Sequence, residues 1–335
     1  MCQSYDKMNP EVINMKFQKT NLDVTPVCLG TVNYGSFMAE DASIRQLYEY
    51  ADMGGNFIDT AHLYGDWNPG DGPRSEIAIG KWLKESKMRD KMVICTKGAH
   101  PDMRTMHIPR CSNAEILGDL EGSLQALQTD YVDMYFLHRD DVNRPAGEII
   151  EFLEEQVKAG KIRHYGCSNW SLARMQEADE YAKAHGLQGF TCNQLMWSLP
   201  DINFDNLDDK TFILMDAPTF AYHNKEQKNA MAYMSMAKGY YSKLFAGKEV
   251  PYSISKVYKN DVSDKIYEIL KDVVTPECTM ADYVLKYLQV QPFPTTPIVS
   301  CSNHDQLVEA MHSMEAKCDM EVMKLLEDLK GLTEK

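Results

Sequence analysis

Four side chains in this sequence could do chemistry together: Asp59, Tyr64, Lys97 and His138. Three of them close short apolar runs, NFIDT (56–60), MVICTK (92–97) and YVDMYFLH (131–138), and Tyr64 follows the first run in its loop. A free phenol has a pKa of about 10 and is a poor acid or base near neutrality. An ammonium beside it favours the phenolate and lowers that pKa. A carboxylate paired with the ammonium keeps it charged, because a buried lysine otherwise tends to shed its proton. A neighbouring histidine can orient a carbonyl oxygen or relay a proton. Brought together, the four suit protonation of a carbonyl oxygen while a cofactor delivers hydride to its carbon. Each also has a plainer reading: Asp59 as a helix cap or ion-pair partner, Lys97 as a solvated rim residue, His138 as a structural histidine, Tyr64 as a core aromatic.

The elements that must gather these residues follow a rhythm. Strand-like runs recur at 27–31, 56–60, 92–97, 131–138, 162–169, 190–194, 230–235 and 296–301. Between them lie helix-period segments at 44–55, 74–86, 112–128, 146–161 and 171–186, several of which end on glycine. Strands alternating with helices imply parallel βαβ units, and eight repeats predict an α/β fold of the closed (β/α)₈ TIM-barrel type. No G-x-G-x-x-G follows the first strand, which argues against a Rossmann domain. Barrel sites lie at the C-terminal ends of strands. There, Asp59, Lys97, His138, Ser168, Asn169 and Gln194 end one run after another. Ser168 and Asn169 also read as a helix N-cap for the segment beginning at Ser171. Residues 15–28 read as a hairpin around Thr20–Asp23, and 320–332 as an extra C-terminal helix. Residues 199–229 and 245–262 are expected to be long irregular βα lid loops. The chain therefore divides into an N-terminal extension, 1–14, and one barrel domain, 15–335.

Bulk properties narrow the partners. The formal net charge of −14 over 335 residues disfavours nucleic acid and anionic membrane surfaces. No apolar run approaches the roughly 20 residues of a membrane helix. The N-terminus lacks the basic and apolar regions of a secretory signal, so a cytoplasmic location is expected. The nine cysteines form no C-x-x-C pair and read as reduced, buried thiols. No metal site is expected, because His138 with Asp140 and Asp141 has no second His or Cys at ligand spacing.

The segments FIDTAHLYG (57–65), ICTKG (94–98), YFLHRD (135–140), GKIRHYGCSN (160–169) and AYMSMAKGYY (232–241) resemble, in order, the successive motifs of the aldo-keto reductase superfamily. The resemblance runs over essentially the whole chain from about Met15. It implies an enzyme interconverting a carbonyl (aldehyde, ketone or sugar) and its alcohol, with Asp59, Tyr64, Lys97 and His138 as a catalytic tetrad and Tyr64 as the general acid/base. It implies NADP as cofactor, bound without a Rossmann fold, with NAD as the alternative. Gly30, Thr31, Val32, Asp59, Ser168, Asn169, Gln194 and Tyr233 correspond to the nicotinamide end. Ser235, Ala237, Lys238 and Gly239 correspond to the pyrophosphate loop, and Ser300, Ser302, Gln306 and Glu309 to the adenosine ribose. Ser302 and Asn303 stand where many relatives carry a cation for the 2′-phosphate. Trp67, Arg139, Trp170 and Trp197 are the expected substrate pocket, and a weak likeness to a bacterial branch leans toward sugar-type substrates. Two alternatives stand beside this reading: a nicotinamide-binding regulatory subunit with little turnover, and a different, metal-dependent barrel enzyme. Oligomeric state is not readable.

Overall fold

The structure, a computed structural model, describes residues 14–67 and 71–333. All but the last residue of the expected extension, 1–14, lies outside the described residues. Strands β1 (Met15–Lys16) and β2 (Asp23–Val24) form the antiparallel N-terminal hairpin. Eight further strands follow: β3 (Cys28–Gly30), β4 (Phe57–Asp59), β5 (Val93–Gly98), β6 (Val132–Leu137), β7 (Ile162–Ser168), β8 (Cys192–Met196), β9 (Asn229–Tyr233) and β10 (Thr295–Val299). They pair in parallel and close as β10-β3-β4-β5-β6-β7-β8-β9. Each falls on one of the eight expected runs.

Successive side chains on a strand alternate between its faces, and this alternation builds the site. Cys28, Phe57, Cys95, Phe136, Cys192, Met231 and Ile298 form one apolar cluster with the hairpin residues Phe17, Leu22 and Val24. Two residues further along the same seven strands stand Gly30, Asp59, Lys97, His138, Gln194, Tyr233 and Ser300. The polar rim is therefore the layer directly above the apolar filling. The hairpin closes the opposite end, with Phe17 edge-on to Phe57 at 5.4 Å. Hydrogen bonds between Gln18 and Asn229 at the start of β9 hold it there.

Helices α1 (Glu40–Asp52), α2 (Arg74–Ser86), α3 (Asn113–Leu127), α4 (Ala146–Lys158) and α5 (Leu172–His185) stand where the periodicity places them. Helix α3 opens with a reciprocal Ser112–Glu115 capping box. Helix α5 opens on Ser171 and closes on a left-handed Gly186.

The two supposed loops are partly helical. Residues 199–229 end in α6 (Ala217–Glu226), capped by Asp216. Residues 245–262 run from the last residue of α7 (Tyr240–Phe245) into the start of α9 (Asp261–Val273) and contain α8 (Tyr252–Tyr258). Helix α6 buries Thr219 and His223 beside Phe220, so it shows no apolar stripe in the sequence. Helices α10 (Met280–Gln289), α11 (His304–His312) and α12 (Met320–Lys330) complete the chain, the last as expected. No described helix is long and apolar enough to cross a membrane.

The cysteine reading needs one correction. Cys278 and Cys318 form a disulfide across 40 residues of sequence. One precedes α10 and the other α12, and the packing of those helices brings their Cα atoms to 5.6 Å. Cys28, Cys95, Cys111, Cys167, Cys192 and Cys301 are buried free thiols, and Cys2 lies outside the described residues.

Two helical glycines should respond oppositely to alanine. A Cβ on Gly80 of α2 would collide with the Ala126 carbonyl oxygen and the Leu127 backbone of α3, whereas one on Gly118 of α3 meets open space. Denaturant melts should show Gly118→Ala stabilising by about 0.5–1 kcal/mol. Gly80→Ala should destabilise by about 1–3 kcal/mol despite its better helix propensity.

Candidate active site

The site rests on a buried ion pair. Lys97 Nζ donates to Asp59 Oδ2 at 2.7 Å and to the Thr60 carbonyl at 2.7 Å. The other carboxylate oxygen, Asp59 Oδ1, accepts from Gln194 Nε2 at 2.8 Å. Both side chains are nearly inaccessible. Burial alone would lower the lysine pKa, but the Asp59 charge outweighs it and raises the pKa, so the ammonium persists. The backbone helps to place the pair: Thr31 N and Oγ1 both donate to the Asp59 carbonyl, at 3.0 and 2.8 Å.

Tyr64 and His138 stand beside this pair. Lys97 Nζ lies 4.8 Å from the Tyr64 ring centroid, and the Tyr64 and His138 rings meet edge-on at 6.0 Å. Burial raises the Tyr64 pKa; the Lys97 ammonium opposes this by charge and hydrogen bonding, and the net direction is up. At neutral pH the phenol therefore carries its proton. Burial, with His100, Lys97 and Arg139 nearby, drives the His138 pKa well below its usual value, so its imidazole is neutral. His138 Nδ1 is buried without a hydrogen-bond partner among the described residues. His100 packs edge-on against it at 4.7 Å and donates from Nδ1 to the Pro101 carbonyl at 2.7 Å. Burial lowers the His100 pKa to about 4, which fixes that tautomer.

The expected cofactor residues line the same rim. Gly30 ends β3 with no room for a side chain between Ile298 and Ser300, and Thr31 and Val32 follow it. Ser168 ends β7, and its Oγ accepts from Asn169 Nδ2 at 3.1 Å. Asn169 has a positive φ and accepts from Tyr233 Oη at 2.6 Å, fixing the tyrosine at the end of β9. Ser235 Oγ donates to the Ile298 carbonyl at 2.7 Å. Met234, Ala237, Lys238 and Gly239 all have positive φ, an irregular turn whose backbone can cup an anion. Beyond it opens a cavity of about 560 Å³. Ser300, Ser302, Gln306 and Glu309 line one side of it, and Lys238, Lys243 and Lys248 the other. The two further lysines belong to α7 and the turn after it, far in sequence from Ser302. No carboxylate forms an ion pair with any of the three among the described residues.

The expected substrate residues divide. Trp67 lines a cavity of about 270 Å³ beside Lys97. Arg139 is buried and committed to Asp209, Thr211 and the His138 carbonyl, bordering a neighbouring cleft near Asn169. Trp170 and Trp197 are not free pocket walls. Trp170 is buried between Phe190 and Arg174 and donates to the Arg139 carbonyl at 3.3 Å. Trp197 packs against Phe220 and Phe293 in the core cluster around β8, β9 and α10. Asp140 is taken up by Arg174. Sequence reasoning missed His62 and His100, which line the Trp67 cavity. His62 was visible only as an imidazole two residues before Tyr64, and nothing local marked its partner Glu76. Among the described residues no group of three or more His, Cys, Asp or Glu could hold a metal ion.

The ion pair has a measurable signature. A lysine whose pKa is raised on folding contributes stability in full below its unfolded pKa of about 10.4, lost only as pH rises through the folded value. Asp59→Asn should therefore cost about 3–5 kcal/mol at neutral pH by stranding a buried ammonium. The double variant Asp59→Asn with Lys97→Met should recover part of that loss in denaturant melts; equal or greater loss would show that the charge pair is not what holds this layer.

Comparison with known proteins agrees with this geometry. The family model described as the aldo/keto reductase family matches residues 26–330. The chain is 28% identical over 326 residues to an uncharacterized oxidoreductase, YrpG, of Bacillus subtilis, covering 93% of this chain and 94% of that one. It is 34% identical over 173 residues to the aldo-keto reductase YhdN of the same organism, half of each chain. Among solved structures, aldo-keto reductase AKR11C1 from Bacillus halodurans superposes with a TM-score of 0.71 at 21% identity, covering 94% of this chain and 95% of that one. A thermostable aldo-keto reductase, Tm1743, superposes with a TM-score of 0.70 at 21% identity, covering 95% and 99%. The chain is thus an oxidoreductase that belongs to the aldo/keto reductase family.

Proposed function

We propose that this chain is an NADP-dependent carbonyl reductase acting on small-molecule carbonyl compounds, with Tyr64 as the proton donor. The observation that carries the reading is the buried, hydrogen-bonded Asp59–Lys97 pair beneath the Tyr64 ring. When bound, a nicotinamide supplies hydride to the carbonyl carbon. The residues of this chain do the rest. His138, neutral, donates a hydrogen bond to the carbonyl oxygen and aims it at Tyr64. Tyr64 arrives protonated and gives its proton to that oxygen as it gains charge, and Lys97 stabilises the phenolate left behind. Asp59 keeps Lys97 charged and is a positioning residue.

The cofactor end fits a nicotinamide dinucleotide with a 2′-phosphate. A Cβ on Gly30 would crowd Ile298 and Ser300, and one on the left-handed Gly239 would fall 2.9 Å from Lys243 Nζ. The positive-φ turn offers backbone N–H groups, and three uncompensated lysines line one cavity of a chain carrying −14 overall. The cation missing around Ser302 is replaced, in this reading, from the opposite wall by Lys243 and Lys248.

Two measurements test this. Tyr64→Phe should lower kcat by about 10²–10⁴-fold while the NADPH dissociation constant, read by fluorescence quenching, stays unchanged; wild-type turnover in that variant would refute the assignment. Lys243→Ala combined with Lys248→Ala should weaken NADPH binding by about tenfold, or 1.4 kcal/mol, with a smaller change for NADH. Equal losses for both cofactors would remove the 2′-phosphate role.

A further inference from the structure

The alternation that turns Asp59 and Lys97 into the barrel turns their chain neighbours Thr60 and Thr96 outward, onto the first turn of α2. Thr31 joins them from the end of β3, and all three threonines are fully buried. Facing them are Ser75 and Glu76, the second and third residues of α2, which are fully buried as well. A serine in the first turn of a helix ordinarily caps it or meets water. Here the N-cap is Pro73, which makes no side-chain cap, and the serine hydroxyl turns to the strand ends instead. Ser75 Oγ lies 2.9 Å from Thr60 Oγ1, 2.9 Å from the Thr31 carbonyl oxygen and 2.8 Å from Thr31 Oγ1. Glu76 takes the Thr96 hydroxyl on Oε1 and the His62 ring on Oε2.

Each hydroxyl has one hydrogen to give. That of Thr31 goes to the Asp59 carbonyl at 2.8 Å. That of Ser75 goes to Thr31. Ser75 Oγ is then the acceptor for Thr60, whose hydroxyl has no other partner among the described residues. The relay from Thr60 through Ser75 and Thr31 to Asp59 therefore runs one way and strands no hydroxyl. Its two ends are the two residues that hold Lys97: the Asp59 carboxylate and the Thr60 carbonyl are the acceptors of Lys97 Nζ. Ser75 grips a third point, since its N–H donates to the Tyr64 carbonyl at 3.1 Å. Gly65, with φ of +91°, allows that approach, because a Cβ there would fall 2.6 Å from Arg74 Cβ. Ser75 thus holds both ends of the turn from Thr60 to Tyr64, and that turn sets how the Lys97 ammonium stands to the phenol. Packing α2 against the strands does not call for this. Apolar side chains would fill the same space without burying hydroxyls, whereas a fully paired polar network adds fixed position and direction.

We propose that Ser75 is a positioning residue of the reaction: by tying Thr60 to Thr31 with its hydroxyl and Tyr64 to α2 with its N–H, it fixes the Lys97 ammonium against the Tyr64 phenol in the geometry of proton transfer. This rests on the reading of the site as a carbonyl reductase. Ser75 is sealed beneath the turn and acts only through Thr60, Lys97 and Tyr64. Loss of its hydroxyl frees the Thr60 side chain and lets the Thr60 carbonyl turn away from Lys97. The reaction then slows through misplacement and not through weaker binding; a shift of about 1 Å can lower a rate about 100-fold.

The test is Ser75→Ala, which removes the hydroxyl and keeps the N–H bond to Tyr64. With benzaldehyde and NADPH, kcat should fall by about 10–100-fold, while the KM for benzaldehyde and the NADPH dissociation constant stay within about twofold of wild type. Gly80→Ala, in the same helix but away from the relay, controls for destabilisation and should keep the wild-type kcat. A second readout needs no turnover: the ¹⁵N signal of the Lys97 ammonium at neutral pH, identified by its loss in Lys97→Met. In Ser75→Ala this signal should shift and exchange with water about tenfold faster or more; in Gly80→Ala it should not move. Thr60→Val, nearly the same shape, cuts the relay at its other end and should repeat both effects. Wild-type kcat in Ser75→Ala, an unmoved ammonium signal, or equal changes in Gly80→Ala would overturn the assignment. So would failure of both Ser75→Ala and Thr60→Val to fold, which would make the hydroxyls a requirement of the fold instead. Should the wild type reduce no carbonyl, the reductase reading falls, and the ammonium comparison still decides whether Ser75 places Lys97.

Discussion

Everything at the open end of this barrel depends on keeping one lysine charged where water cannot reach it. A buried ion pair is not favourable by attraction alone, since removing both charges from water costs more than imperfect geometry returns. Here the remaining bonding capacity is filled: Lys97 also reaches the Thr60 carbonyl, and Asp59 also takes the Gln194 amide. That arrangement needs three strands in fixed register, with Gly30 beside Asp59 and Asp59 beside Cys95. A slip of one residue in β4 or β5 would exchange the pair with outward-facing neighbours such as Ile58 or Thr96. The pair is therefore both a product of the fold and a constraint on it.

The same low-dielectric layer sorts the protonation states around the pair. It opposes charge on Tyr64 and on both histidines, while Lys97 alone is held charged by a direct partner. The sequence suggests that lysine lowers the phenol pKa. The structure shows that this effect is present but smaller than burial, so the phenol keeps its proton at neutral pH. A tyrosine that arrives protonated and is stabilised once deprotonated suits a proton donor better than one that is already a phenolate.

What could be read in advance follows from which interactions are local. The eight strands were legible because alternation is a property of neighbouring residues, and so were the polar groups that end them. The helices within 199–262 were not, because α6 buries Thr219 and His223 beside Phe220 and α8 spans only seven residues. Trp170 and Trp197 follow strand ends, but their sequence does not say whether a ring turns toward the rim or into the packing between helices. Cys278 and Cys318 are joined only by the docking of α10 and α12. The cations facing Ser302 were hidden for the same reason, since Lys243 and Lys248 are separated from it in sequence by α8, α9, α10 and β10, yet line the same cavity. His62 was recognisable as a residue type, but its meaning depends on Glu76 from another element.

The long segment after β8 was expected to be a lid, and its bonding argues for a wall. Ile213 N donates to Asn169 Oδ1, the atom that also receives the Tyr233 hydroxyl. Arg139 grips Asp209 and Thr211 from the end of β6. Lys330 of α12, almost fully buried, pairs with Asp201, and the disulfide fixes the start of that helix. A segment tied to β6, β7 and the C-terminal helix cannot swing away without breaking these half-buried ion pairs and hydrogen bonds together. One side of the site is thus preorganised around Asn169 and Tyr233.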